Sequence, residues 1–516
     1  PVVLPSIRDP RLHVAAVIIS VHVLGQVGLH FAVSVPQILA AILTCAILEI
    51  AITFAQTRSI VWPASAMLTG SGVALILRVV GTPPDSPWDT HAWYAFAAIA
   101  GLSLLTKYVI RYRGAHVFNP SNIGLVLAFV VLGSTRVEPL DFWWAPLNLP
   151  MIAAYAAIVG GGLLITRRLR LLGMAISFWL AFAAGTAILA ASGHCMTARW
   201  SFAPVCGFEY WRVIVTSPEV MIFLFFMITD PRTSPAGRVG RVVFGVLVAA
   251  ASVLLLAPQA NEFGAKVGLL AGLLLVCAAR PLLERVLPEP KSPADDLRRA
   301  AAALGLAGRP RPARTALGAG AALTLAGAIV LAGIPARGLV LADPSELLNE
   351  VPHQVDPATF PAVTVQQDVA DWNHEIAGPE MQGIVRTLAE NLELESQALL
   401  RRDGAILEAV DHGDRLAEMQ ERLRQAQASG TTTIERYRFE SINVALLVPF
   451  GVQTGLSLGF QARGSLTTQT YDADGRLHDE STSPFSLTFA MRQATGSRWM
   501  NVAVLPFEPG SAAGSE

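Results

Sequence analysis

The chain has 516 residues, of which 53% are hydrophobic and 15% charged, and its formal net charge at pH 7 is −1. About a quarter of the residues in soluble domains are charged, so this composition excludes an ordinary soluble domain for most of the chain. A net charge near zero gives no electrostatic reason for a nucleic-acid partner, and none is predicted. The long apolar runs lie before position 340 and most acidic residues after it, which predicts two regions.

The first region contains eleven apolar runs that predict membrane-spanning helices. A helix needs about 20 apolar residues to cross the hydrocarbon core, because its backbone polar groups must all bond within it. In chain order the runs are Leu12–Val33, Pro36–Ala55, Ile60–Val80, His91–Ile110, Asn119–Leu132, Leu147–Thr166, Leu169–Ala191, Val213–Thr229, Val242–Ala257, Gly264–Leu283 and Thr315–Ile334. The fifth, eighth and ninth runs are short, which predicts tilted or re-entrant helices.

The loops between these runs alternate in charge, and the alternation predicts the orientation of the chain. Arginine and lysine collect on the cytoplasmic side of membrane helices. One set of loops carries most of these cations: Arg58, Lys107, Arg111, Arg113, Arg167, Arg168, Arg170, Arg232, Arg238, Arg241, Arg280, Arg285, Lys291, Arg298 and Arg299. The prediction is a multi-pass protein of the bacterial plasma (inner) membrane, with a cytoplasmic N-terminus and with everything after Pro335 extracytoplasmic.

Two of the four cysteines, Cys195 and Cys206, fall in the predicted outer loop between the seventh and eighth runs. A disulfide between them is reasonable in an oxidising compartment and would stabilise the loop by about 3 kcal/mol. Two free thiols are the alternative, because a sequence does not show that two Cα atoms approach. A metal site with the adjacent His194 is less favoured, since a fourth ligand at suitable spacing is missing. No metal is predicted.

Three stretches interrupt the apolar pattern with small and polar residues. They are Ser65-Ala66-Met67-Leu68-Thr69-Gly70 in the third run, Phe118-Asn119-Pro120-Ser121-Asn122 at the start of the fifth, and Phe225-Phe226-Met227-Ile228-Thr229-Asp230-Pro231 at the end of the eighth. Taken singly, Asn119-Pro120 predicts a capped helix start and Asp230-Pro231 a helix stop. Taken together, the order and spacing of the three motifs are more specific.

This order of motifs resembles that of the Rnf-D and Nqr-B family of membrane proteins, and the likeness covers about residues 12–283. Members of that family belong to ion-coupled NADH–ferredoxin and NADH–quinone oxidoreductases. The chain looks closest to their stand-alone, Rnf-D-like relatives, which are often described as enediyne-biosynthesis membrane proteins. The resemblance implies ten helices in two pseudo-symmetric halves, with one extra helix here, and a bound flavin.

The resemblance also implies which residues would lie near the flavin or line the interface between the halves. By position they are Thr69, Gly70, Asn119, Pro120, Thr229, Asp230 and Pro231. Short or broken helices at such a junction offer free backbone dipoles to a polar ligand. The family's Ser-Gly-Ala-Thr motif, whose threonine is esterified to flavin, is missing between Pro120 and Ser217. The implied cofactor is therefore FMN or riboflavin held without a covalent bond, and complete loss of the cofactor is the alternative.

Polar side chains inside the predicted helices need a partner or a role, because ionisable groups are costly at membrane depth. Glu49 lies on the second run. It is predicted either to have a role or a partner inside the membrane, or to extend its side chain to the inner surface beside Arg58. His22 and His30 lie on the first run, and no second histidine at mid-membrane completes a haem pair. A hydrogen-bonded core histidine is the favoured prediction for His22.

The last third of the chain predicts a separate α+β domain outside the membrane. Residues 291–340 are predicted to form a cytoplasmic loop and the eleventh helix, 341–380 a linker, and 509–516 a disordered tail. Helical periodicity runs from Met381 to Leu423 with a break at Asp403-Gly404. The predicted strands are Ile434–Val448, Thr454–Tyr471, Phe485–Arg492 and Trp499–Leu505. Residues 381–508 resemble the NTF2-like fold, and the prediction is a role in protein contact without catalysis.

These observations leave two functional hypotheses from different classes. The first is a flavin-binding redox subunit that passes electrons within or across the membrane and assembles with extracytoplasmic partners. The second is a non-redox transporter or scaffold protein of a membrane complex that kept the fold and lost the cofactor. A membrane enzyme acting on lipid is not favoured, because it would need clustered histidines or acids near one face. No catalytic residue is assigned, since either hypothesis makes the chain part of a complex rather than a self-contained enzyme.

Overall fold

The structure is a computed structural model of the chain. It describes residues 2–6, 9–29, 31–82, 86–140, 149–198, 201–235, 237–286, 293–303, 310–338, 350–351, 360–447, 457–494 and 498–506. The chain divides into two compact units. The first comprises Pro1–Ala198, Pro204–Leu339 and Phe450–Gln453, and the second comprises Arg199–Ala203, Val340–Pro449 and Thr454–Glu516.

The first unit is built mainly of apolar helices. In chain order they are α1 Pro10–Gly28, α2 Val35–Thr57, α3 Ala64–Ile76, α4 Trp93–Val109, α5 Pro120–Leu132, α6 Leu149–Arg168, α7 Leu172–Ala191, α8 Gly207–Met227, α9 Arg238–Leu256, α10 Glu262–Ala278, α11 Arg280–Val286, α12 Pro293–Ala303 and α13 Arg311–Ala332. Among the described residues, seven helices are long and apolar enough to cross a membrane, namely α1, α2, α6, α7, α8, α9 and Thr315–Ala332 of α13. These are the helices of a membrane-embedded protein.

Helices α3 and α5 are shorter than a full membrane span. Each has 13 residues, which gives about 20 Å of helix against a hydrocarbon core of about 30 Å. The predicted third span, Ile60–Val80, is a helix followed by a strand, because the backbone becomes extended at Leu77. Residues 77–79 pair antiparallel with 137–139, which follow α5. The hydropathy pattern did not show this pairing, since the two segments are distant in sequence.

Two of the long helices are irregular where they meet. Helix α6 contains a π turn at Ala156–Gly160, and α8 contains one at Phe223–Met227. Helix α8 is also broken at Ser217, whose side chain accepts a hydrogen bond from the backbone of Val220 at 3.2 Å. A Cβ added at Gly162 of α6 would lie 2.3 Å from Cγ of Phe225, so the two helices approach closely at the π turns. Such turns often mark functional sites.

Short strands and one 3-10 turn accompany the helices of the first unit. The strands are β1 Val2–Val3, β2 Ile60–Val61, β3 Leu77–Val79, β4 Arg111–Tyr112, β5 Ala115–His116, β6 Val137–Pro139, β7 Cys195–Ala198 and β8 Ser201–Cys206, and a 3-10 turn covers Ile334–Ala336. They form four two-stranded pairs: β1 with β2, β3 with β6, β4 with β5, and β7 with β8. The β4–β5 hairpin directly precedes the second motif, and it places His116 at the start of that motif.

The second unit contains helices packed on one antiparallel sheet. Its elements are β9 Val363–Val365, α14 Gln367–Trp372, a π turn at Ile376–Glu380, α15 Met381–Arg401, α16 Gly404–Val410, α17 Gly413–Ser429, β10 Thr432–Leu447, β11 Ser457–Tyr471, β12 Leu477–Gln493 and β13 Trp499–Pro506. The strand order is β13–β12–β11–β10–β9, antiparallel throughout except for β9 beside β10. Apolar residues of α15 such as Leu388 pack on Phe460 and Phe489 of the sheet and form the main core.

The second unit differs from the prediction in two places. Strand β12 begins at Leu477, ahead of the predicted start at Phe485, because the exposed stretch before Phe485 pairs with β11 despite having no buried face. The predicted linker contains β9, α14 and the π turn, which pack against β10 and α15. Residues 341–349 and 352–359 of that linker and the tail 509–516 lie outside the described residues.

Candidate functional site

The second motif forms the start of α5, where Asn119 is the helix cap. Its side-chain oxygen accepts hydrogen bonds from the backbone N–H of Asn122 at 3.3 Å and from the hydroxyl of Ser121 at 2.8 Å. Its amide nitrogen donates to the carbonyl oxygen of Met227 at 3.3 Å. Pro120 follows in the first turn, where a missing backbone N–H costs no helical hydrogen bond. Asn119 therefore both starts α5 and ties it to the end of α8.

The third motif follows the end of α8 and carries a carboxylate. The hydroxyl of Thr229 donates to the carbonyl oxygen of Phe225, and its side chain is buried. Asp230 accepts a hydrogen bond from the backbone N–H of Arg232 at 2.9 Å, and its Oδ2 lies 3.0 Å from Nε2 of His116. His116 is itself buried at the end of β5. These contacts hold the carboxylate in one orientation.

The second and third motifs are in direct contact. The Asn119–Met227 hydrogen bond and the His116–Asp230 pair join segments that are more than 100 residues apart. The start of α5 and the end of α8 therefore lie next to each other, joined by these side chains. Opposite ends of two helix dipoles attract each other, and their unpaired backbone groups make such a junction polar.

The first motif lies on α3. A Cβ added at Gly70 would lie 2.4 Å from the carbonyl oxygen of Ala41, so Gly70 allows α3 to pack closely on α2. The Thr69 hydroxyl donates to the carbonyl oxygen of Ser65 at 3.2 Å, within α3 itself. Both residues of the motif are buried. The geometry therefore assigns Gly70 to helix packing.

A neighbouring glycine joins α3 to the second motif. A Cβ added at Gly72 would lie 3.2 Å from Oγ of Ser121, and Ser121 in turn donates to Asn119. The second and third motifs therefore meet at the start of α5 through hydrogen bonds, while the first motif is joined to it only through the neighbouring Gly72.

Asp230 keeps an accessible polar surface at this junction. Its side chain is 19% exposed, whereas Asn119, Thr69 and Thr229 are buried and bonded within the protein. The polar edge of a flavin ring presents one N–H donor between two carbonyl acceptors, and a carboxylate is an acceptor for that donor. These residues fit a flavin contact at Asp230, with Asn119 and His116 holding the carboxylate and its helix end in place.

Glu49 is paired inside the first unit. Its Oε1 lies 2.8 Å from Nζ of Lys107, and the hydroxyl of Tyr108 donates to its other oxygen. Both partners lie on α4, while Arg58 lies over the ring of Phe54. Glu49 therefore has partners in the protein and does not depend on Arg58.

His22 is a hydrogen-bonded core histidine, as predicted. Its ring is buried, and Nε2 lies 3.3 Å from Oγ of Ser71 on α3. This contact uses one ring nitrogen to join α1 to α3. His30, the other histidine of the first run, lies outside the described residues.

A buried ion cluster between α8 and α10 was not predicted from the sequence. Nζ of Lys266 lies 2.8 Å from Oε1 of Glu262 and 3.4 Å from Oε1 of Glu219, and it donates to the carbonyl oxygen of Leu140. A cavity of about 30 Å³ adjoins Lys266 and Glu219, which is room for about two water molecules. The predicted tenth run, Gly264–Leu283, includes Lys266 and gave no partner for it. The four-residue spacing of Glu262 and Lys266 in an apolar run was the available signal.

The structure joins Cys195 and Cys206 in a disulfide, with 4.3 Å between their Cα atoms. The bond links the start of β7 to the end of β8, while Cys45 and Cys277 are free and buried. Beside it, burial lowers the pKa of His194 to about 4, so this ring is neutral at pH 7. The described part of the chain contains no group of three or more His, Cys, Asp or Glu residues placed to hold a metal.

His116 was also not predicted from the sequence, although it stands two residues before Phe118 of the second motif. Its partner Asp230 is 114 residues away, and nothing local indicates that the two meet.

Comparisons with known proteins add no assignment for this chain. A scan against models of protein families finds no match to this chain, and a search of curated proteins finds none either.

Proposed function

We propose that this protein is a membrane component of an electron-transport system and binds FMN or riboflavin without a covalent bond. The observation that carries the proposal is the contact between the second and third motifs, through His116–Asp230 and Asn119–Met227. Together with the first motif, these motifs carry the resemblance to the Rnf-D and Nqr-B family. The meeting of the second and third motifs beside one partly open carboxylate supports a shared role.

In this proposal the side chains have separate tasks. Asp230 accepts a hydrogen bond from the flavin's polar edge, and His116 and the Arg232 backbone N–H fix the direction of its carboxylate. Asn119 positions the end of α8 by binding the Met227 carbonyl. A bound flavin would supply one- and two-electron transfer. Thr229 sits next to Asp230 and keeps the last turn of α8 closed.

The proposed flavin contact is tested by flavin retention in the full-length protein, purified in a mild detergent. Loss of a hydrogen bond to a charged group weakens binding by about 1.5–3 kcal/mol, roughly tenfold or more. Asp230→Ala and Asn119→Ala should each lower the flavin-to-protein ratio measured by absorbance. Glu209→Gln is the control, because Glu209 is exposed and pairs with Arg212 away from the motifs. Full flavin occupancy in both alanine variants would remove the site assignment.

The proposed location is the plasma (inner) membrane, with a cytoplasmic N-terminus and the second unit outside, where it contacts other proteins of the complex. The alternation of cationic loops supports this orientation. The Cys195–Cys206 disulfide agrees with it, because that loop is assigned to the oxidising side. An impermeant thiol reagent should label Ser429→Cys but not Thr57→Cys in intact cells, and the reverse pattern would invert the orientation.

A non-redox transporter or scaffold is the second candidate, and one observation favours it. The polar groups of Asn119, Thr69 and Thr229 are satisfied within the protein, so the motifs can hold the helices together without a ligand. Under this alternative the purified protein is colourless. Asn119→Ala and Asp230→Ala would then both lower stability, because each removes hydrogen bonds that join the two motifs.

A further inference from the structure

The second unit buries a cluster of four polar side chains, named here the acid–arginine cluster: Glu395, Asp411, Arg415 and Asn501. Arg415 donates two parallel hydrogen bonds to the carboxylate of Glu395, one of them 3.0 Å from Nε to Oε1. Asn501 donates to the same Oε1 at 2.8 Å. All four side chains are buried, although they come from three helices or turns and one strand.

The cluster contains one cation for two buried acids. Arg415 is committed to Glu395, and its remaining contact is with Glu418, whose side chain is 50% exposed and solvated. Asp411 is fully buried, and neither of its oxygens accepts a well-directed hydrogen bond from the described residues. A second buried carboxylate without a cation of its own would be very costly, whereas a neutral acid is not. The geometry therefore favours a protonated Asp411.

The charges around Asp411 agree with this assignment. Burial first, and then the like charge of Glu395, raise the pKa of Asp411 well above its usual value, while Arg415 opposes them. Among the described residues, the charged and polar groups facing the cluster include Glu395 and Asn391 from α15, Arg415 and Glu418 from α17, Asn501 from β13, and Glu435 and Tyr437 from β10. Arg422 pairs with Glu435 at 3.0 Å, so that carboxylate has its own cation.

Asp411 lies where a turn docks on the sheet. It ends α16, and its backbone forms a β-bridge with Asn501 of β13. The backbone N–H of His412 donates to the carbonyl oxygen of Asn501 at 2.8 Å. A negative charge on Asp411 would stand beside Glu395 and would push this turn away from β13.

We propose that Asp411 carries a proton while the 411–413 turn is docked, and that loss of this proton releases the turn from β13. The second unit is thereby a pH-responsive element. At low pH the proton on Asp411 keeps the contact closed, and rising pH opens it. The acid–arginine cluster shares no residue with the proposed flavin site.

The direction of the pH dependence follows from the raised pKa. The docked state holds the proton more tightly than the released state, so docking is most stable below the ordinary pKa of an aspartate. Stability is lost as the pH rises through the higher pKa of the docked state. Within that window the opening constant rises about tenfold for each pH unit, because each opening event releases one proton.

The test is hydrogen–deuterium exchange of the full-length protein between about pH 5 and 8, a range that lies above the ordinary pKa of an aspartate. The measured rates are corrected for the intrinsic pH dependence of exchange. In the wild type, the backbone amides of residues 404–413 and 499–506 should exchange faster as the pH rises. Asp411→Asn keeps the shape and cannot ionise, so its exchange should be independent of pH. Glu418→Gln is the matched control, and it should keep the wild-type profile.

Infrared spectroscopy offers a second measurement of the proton on Asp411. If Asp411→Asn fails to fold, infrared spectra of the wild type decide instead: the carbonyl band of a protonated carboxyl group should be present while the turn is docked, and it should be lost at the higher pH at which the docked state itself loses its proton. Identical pH profiles in the wild type and Asp411→Asn, or the absence of that band, would overturn the proposal.

Discussion

The helix-end motifs of the first unit and the acid–arginine cluster of the second unit hold their buried polar groups differently. In the first unit, Asn119 and Asp230 lie at helix ends, where free backbone groups supply partners for them. In the second unit, Glu395, Asp411 and Arg415 lie in the middle of the packed domain and depend on one another. A polar residue at a helix end pairs with backbone groups close to it in sequence, so a sequence motif can indicate it. A charge network inside a domain pairs residues that are distant in sequence, and no motif indicates it.

The difference predicts unequal costs of mutation. Removing a helix-end residue leaves backbone groups that water or a neighbouring turn satisfies. Removing one member of the acid–arginine cluster leaves an uncompensated charge away from water. Substitutions in the second unit's cluster are therefore expected to be the more damaging.

The largest effect is expected for Arg415→Met, which leaves Glu395 and Asp411 without their cation. Breaking a buried ion pair from one side costs about 3–5 kcal/mol. Hydrogen exchange of α15 in the full-length protein should increase accordingly. Arg424→Met is the control, because Arg424 forms an exposed pair with Glu421. Equal effects of the two substitutions would mean that the cluster does not stabilise the unit.

Removal of the Cys195–Cys206 disulfide should have the next largest effect, confined to its loop. A closed loop of this length is stabilised by about 3 kcal/mol through chain entropy. The double variant Cys195→Ser, Cys206→Ser should show faster proteolysis within the β7–β8 hairpin. Hydrogen exchange of the backbone amides around the acid–arginine cluster should stay unchanged. A change there would contradict the comparison between the units.

Gly70→Ala tests close packing in the first unit. The added methyl group meets the backbone of Ala41, which cannot move aside freely, and overpacking costs about 1–3 kcal/mol. Buried Cys45 lies one helical turn from Ala41 on α2, so its reaction with a thiol dye should become faster. Gly173→Ala is the control, because a Cβ there meets nothing within 4 Å. Similar labelling rates in both variants would contradict the packing role.

The smallest stability effect is expected for Asn119→Ala. Loss of a helix cap costs about 1 kcal/mol, and lost contact with Met227 adds to it. The thermal midpoint of the first unit in the full-length protein should fall slightly, as followed by labelling of the buried Cys277 thiol. No fall at all would mean that water replaces both hydrogen bonds.

The membrane helices were largely predictable, because a run of apolar residues is a local property. The predicted Pro36–Ala55 corresponds to the observed Val35–Thr57, and Leu169–Ala191 to Leu172–Ala191. The strand at Leu77–Val79 was not predictable, since it depends on pairing with a distant segment. The same reason hid β9, whose three residues become a strand only beside β10.

The candidate site was predictable in part. Asn119-Pro120 and Asp230-Pro231 stand out as motifs, and their caps and stops follow from residue type. Their contact with each other, and the partner His116, required the tertiary structure. In the second unit, nothing local in the sequence indicates that Asp411 and Arg415 are buried, because their burial depends on β13 and α15.

The most direct test of the central claim is the absorption spectrum of the gently purified protein, recorded before and after denaturation and removal of small molecules. The proposal predicts a flavin spectrum that leaves the protein on denaturation, since the flavin is not held by a covalent bond. A colourless protein that is intact and folded would contradict the proposal and would leave a scaffold or transporter built on the same helices.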